Sequence, residues 1–63
     1  MKIESFEIHA VVETPLGYRT TRRTEEASFW TLYGVLTNNE LVAIGDYSHK
    51  ADAEKAQELL ERS

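Results

Sequence analysis

The second half of the chain constrains the fold most. Two short runs of apolar and aromatic residues, FWTLYGVL from Phe29 and LVAIGDY from Leu41, flank a polar Asn38-Asn39 pair. After Tyr47 the apolar spacing changes from strand-like to helical, with Ala53, Ala56, Leu59 and Leu60 on one stripe. That change describes a β-hairpin running into a helix. Asn tolerates positive φ, so Asn38-Asn39 reads as the centre of a two-residue type I′ turn.

A two-residue loop fixes the pairing. Leu36 would face Leu41, Gly34 Ala43, Leu32 Gly45 and Trp30 Tyr47, all on one side of the sheet. Val35 with Val42, Tyr33 with Ile44 and Thr31 with Asp46 would occupy the other. The Trp30 side carries Gly34, Ala43 and Gly45, so a helix can approach closely there, and the small Ala53/Ala56 stripe suits it. With one helix available, the opposite side has no cover of its own. Phe29, Tyr33, Val35, Val42 and Ile44 are therefore the expected protein interface. The competing expectation is that the sheet curls and the first hairpin folds over this face. The assignment hangs on register, because a one-residue slip exchanges the faces.

From Lys2 to Thr14 the chain alternates. Phe6, Ile8, Ala10 and Val12 point one way; Ser5, Glu7, His9 and Glu13 point the other, with Val11 an apolar exception among them. Thr14-Pro15-Leu16-Gly17-Tyr18 reads as a three-residue loop with Gly17 in the left-handed position. Tyr18 would then face Thr14, with Arg19 facing Glu13. Tyr18 to Thr24 is rich in Thr and Arg and reads as an edge strand kept soluble by charge. The expected elements are strands at about 2–14, 18–24, 28–36 and 41–47 and a helix at about 49–62, capped by Ser48 or His49. Together they make one α+β domain, a four-stranded, mostly antiparallel β-meander with the C-terminal helix packed on one face (ββββα).

The 63 residues include no cysteine, so neither a disulfide nor a thiolate zinc site can reinforce the small core. An efficient core or self-association must do so, and a homodimer is an expected state. No signal-peptide or transmembrane stretch is visible, which leads to the expectation of a cytoplasmic protein with no membrane association. The formal net charge of −4 is uneven: from Glu25 onward only Lys50, Lys55 and Arg62 offset eight carboxylates. A phosphate backbone would be repelled by that half.

No constellation carries catalysis. His9 and His49 lack ligand spacing, no Ser or Thr sits in a nucleophile elbow, and the three glycines form no phosphate loop. No enzyme activity, cofactor or metal is expected, and Asp46 is expected to serve the helix N-terminus. The one basic patch is Tyr18-Arg19-Thr20-Thr21-Arg22-Arg23. Arg19, Arg22 and Arg23 could contact phosphates while Tyr18 stacks, which makes nucleic-acid binding the alternative function. The stretch VAIGDYSHKADAEKA, with Gly45, Tyr47 and alanines in the helix, resembles the sheet-plus-helix of integrase arm-binding domains and of the plant ethylene-response DNA-binding domain. That resemblance covers under half the chain and implies nucleic-acid contact through the open sheet face. In those families the face is basic and aromatic, whereas here it would carry Val and Ile in an acidic half. The leading expectation is a small non-enzymatic interaction or regulatory module, of the accessory or inhibitor type found on phages and plasmids, acting through its apolar sheet face or as a homodimer.

Overall fold

The computed structural model describes residues 2–62. Strands β1 (Ile3–Thr14), β2 (Gly17–Thr21), β3 (Phe29–Leu36) and β4 (Leu41–Tyr47) form one antiparallel sheet in the order β2-β1-β3-β4. A short 3-10 turn, Thr24–Glu26, links β2 to β3, and helix α1 (Lys50–Glu61) packs on the sheet. Strand order departs from chain order once, because β3 returns to pair with β1 rather than β2. β1 holds the two hairpins together: β2 takes Ala10–Thr14, while β3 takes the stretch from Ile3 to Val11.

Alternation places Phe6, Ile8 and Ala10 of β1 against Gly34, Leu32 and Trp30 of β3. This is the face that α1 covers, as expected, and Lys50 Nζ lies 5.6 Å from the centre of the Trp30 ring. Leu32 and Ala53 are fully buried where helix and sheet meet, and Ala10 is buried beside them. The missing side chains of Gly34 and Gly45 do not receive the helix. A Cβ on Gly34 would lie 2.9 Å from Ile3 Cδ1, and one on Gly45 would lie 3.2 Å from the Tyr47 hydroxyl. Neighbouring sheet side chains fill both gaps.

Both hairpins depart from the expected register, for related reasons. Asn39 alone adopts positive φ (69°), so the second loop is Thr37-Asn38-Asn39 rather than a two-residue turn. Asn39 N donates to Leu36 O and Leu36 N donates to Glu40 O, each at 2.9 Å. The longer loop moves the pairing by one residue, giving Val35–Leu41, Gly34–Val42 and Tyr33–Ala43. A β-bulge at Ile44 then absorbs the offset, and Leu32–Gly45, Thr31–Asp46 and Trp30–Tyr47 pair as expected. In the first hairpin Thr14 faces Gly17, which has φ +120°, and Tyr18 faces Glu13. The Thr14 hydroxyl pins this turn, donating to Gly17 O at 2.7 Å and accepting from Leu16 N at 3.2 Å. β2 ends at Thr21, so Arg22 and Arg23 lie outside the strand expected to contain them.

Helix α1 is capped by His49, whose side chain makes no capping hydrogen bond. Asp46 does not serve the helix N-terminus. It accepts from the Thr31 hydroxyl at 2.7 Å across the sheet, because its pairing with Thr31 puts it on the face away from α1.

Candidate functional site: a concave face between the sheet edges

Paired residues share a face, so the register decides what the open side of the sheet displays. β3 contributes Phe29, Thr31, Tyr33 and Val35. β1 contributes Ser5, Glu7, His9 and Val11, and β2 contributes Tyr18 and Thr20. β4 contributes Leu41, Ala43 and Asp46. Of the expected interface, Phe29, Tyr33 and Val35 stand on this face. Val42 and Ile44 do not. The register offset turns Val42 to the Gly34 side, and the bulge sets Ile44 in a hollow on the helix side with Leu60, Ile3 and Phe6.

The open face is concave. A hollow of about 470 Å³ is lined by Tyr18, Arg19 and Thr20 from β2 and, across the sheet, by Ala43 and Asp46 from β4. Val11, Phe29, Thr31 and Tyr33 lie between them. Residues of both outer strands line this one hollow. The first hairpin does not close the face over. Its cover is limited to Tyr18, which meets Phe29 edge-on at 5.4 Å and is itself 66% exposed. Val11, the apolar exception in β1, is buried in this region.

Two pairs of polar groups on the face hold one another. Thr31 is 4% exposed, and its hydroxyl is committed to Asp46. His9 Nε2 and Glu7 Oε1 lie 2.8 Å apart, and the His9 ring stands edge-on to Tyr33 at 5.0 Å. Sequence reading left His9 as a plain surface residue and Val11 as a break in pattern. The cross-strand partners Tyr33 and Phe29 were the missing information, and they follow only once β3 is known to pair with β1. Among the described residues, no group of three or more His, Cys, Asp or Glu side chains could hold a metal ion. No helix among them is long and apolar enough to cross a membrane.

The candidate nucleic-acid residues do not form one surface. Tyr18 is on the open face, whereas Arg19 pairs with Val12, so its side-chain position is on the helix side at the rim. Arg23 is held by its own turn, with Nη1 3.2 Å from Glu26 Oε1 and Nε 3.7 Å from Glu25 Oε1. Arg22 lines a hollow on the helix side with Trp30, Lys50 and the threonines Thr20, Thr21 and Thr24. No family model matches the chain, and no curated protein or solved structure shows significant similarity to it.

Proposed function

We propose that this protein is a small non-enzymatic interaction module that receives a segment of a protein partner on its concave open face. One observation carries the reading. Aromatic side chains from two strands, Tyr18, Phe29 and Tyr33, surround an internally satisfied Thr31–Asp46 pair in an open hollow. Apolar walls with a few fixed polar groups are the usual form of a binding site. The charge of the face points to the partner's chemistry: Glu7, Glu13 and Asp46 are acidic, against Arg19 at the rim of the hollow. A partner segment with apolar and basic side chains matches it, since a cation over a tyrosine ring gains about 0.5–2 kcal/mol.

Affinity selection of peptides on the immobilised protein tests this reading. Selected peptides should be rich in Arg or Lys beside an apolar residue. Their affinity should fall by about 2 kcal/mol or more with Tyr33→Asp, as for a central interface residue. Val42→Asp, on the other face, should leave it unchanged. Equal retention by the Tyr33→Asp protein, shown to be folded by circular dichroism, defeats the reading.

A second reading has its own observation. Arg22, Lys50 and Trp30 share the helix-side hollow, and two cations beside an indole suit a nucleic-acid strand. Arg22→Ala with Lys50→Ala should then abolish retention on single-stranded nucleic acid, and binding should weaken steeply with salt. Retention that ignores both removes this alternative.

A further inference from the structure

The three free edges of this sheet are unequally defended. β2 presents Arg19 among threonines, followed by Arg22 and Arg23. The stretch of β1 beyond β2, from Ile3 to His9, carries Glu4 and Glu7 and is broken by a bulge between Ile3 and Ser5. Charges and bulges are the devices that keep edge strands from pairing with other chains. β4 reads LVAIGDY, with no Lys, Arg or Pro, and its one carboxylate, Asp46, is occupied by Thr31. The bulge at Ile44 interrupts this edge, and Asp46 is its one charged side chain. β4 also concentrates exposed apolar surface on both faces, with Leu41 46%, Val42 41% and Ile44 39% exposed, and Leu60 of α1 at 41% beside Ile44.

The molecule as a whole shows surplus surface. Its accessible area is 4758 Å², whereas a folded monomer of 7.2 kDa has roughly 4,100 Å². The difference, about 600 Å², approaches the ~800 Å² that each partner buries in a standard interface. Among the described residues the buried apolar core is small, comprising Ala10, Val11, Leu32 and Ala53.

We infer that a second copy of this chain docks along β4, pairing β4 with β4 in antiparallel fashion about a two-fold axis and extending the sheet across the dimer. The strand's free backbone groups find partners, and Val42, Ile44 and Leu60 of each copy are covered on the helix side. An isologous contact of this kind uses one patch twice. The open-face hollows of the two copies then lie on one continuous sheet, and the partner-binding face is left free.

Light scattering over a dilution series gives the first test. The mass should be twice that of one chain and should fall to one chain on dilution. Val42→Lys and Val42→Glu should each raise the dimer dissociation constant roughly tenfold or more, because each brings charges of one sign into the apolar contact between the copies. Mixing the two variants should restore the dimer. Amide exchange in β4 provides a readout independent of any substitution, with outward-facing amides protected at high protein concentration and exposed at low. A single-chain mass at every concentration overturns the inference. So does a dimer that both folded Val42 variants retain, or exchange in β4 that ignores concentration. None of these results bears on Tyr33, so the two proposals fail separately.

Discussion

Leu32 is the residue on which the core turns. It is fully buried between β1, β4 and α1 and, among the described residues, is the one large side chain wholly removed from solvent. Leu32→Ala should cost about 3–5 kcal/mol through lost burial and the cavity left behind. For a chain this small that approaches the whole stability, so the urea transition should shift to very low denaturant or vanish. Gly34→Ala tests a different constraint. The added methyl meets Ile3 Cδ1 at 2.9 Å and both Ile3 γ carbons at 3.2 Å, so the β-branched side chain has to shift as a whole and the expected loss is about 1–3 kcal/mol. Thr31→Val preserves shape but removes the donor to Asp46 and should cost about 1–2 kcal/mol in the same assay. How much of the site could be read from sequence is decided at this scale. Phe29, Tyr33 and Val35 were assignable to the open face because β3 alternates without interruption. Val11 and His9 were not, since their roles come from Phe29 and Tyr33, and nothing in the local sequence says that β1 rather than β2 lies beside β3.

The elements themselves were legible where period and turn chemistry agreed: four strands, two hairpins and a helix after Tyr47 lie close to their expected places. Register was not legible, and the loops explain why. Asn-Asn supports two left-handed residues, yet the chain uses one, and the extra loop residue is compensated eight residues after Leu36 by the bulge at Ile44. Two errors of opposite sense thus leave one end of the hairpin paired as expected and exchange the faces of the other, which is what moved Val42 and Ile44. Asn39→Val should destabilise the hairpin by about 1–2 kcal/mol, because a β-branched residue resists positive φ. The helix invites the reverse experiment. His49 occupies the N-cap without capping, so His49→Asp should stabilise the protein by about 1 kcal/mol, read as a higher urea midpoint at neutral pH.

For the whole molecule, the governing fact is an elongated shape, 35 × 24 × 16 Å, wrapped around little interior. One sheet and one helix leave two surfaces to which the two proposals assign different work: the aromatic hollow of the open face and the β4 edge, whose one charged side chain is Asp46. Raising salt should leave binding of an apolar segment at the concavity largely intact while weakening any contribution from its basic residues, and comparing affinities at low and high salt separates the two. The route by which the chain reaches this shape is set by β1. Its inner neighbour extends to Leu36, so the centre of the sheet joins the two ends of a long intervening stretch. β1 and β2 precede both β3, which pairs with β1, and α1, which covers the face holding Phe6 and Ile8. A chain cut short before Lys50 would leave that apolar face bare, the kind of surface that chaperones bind.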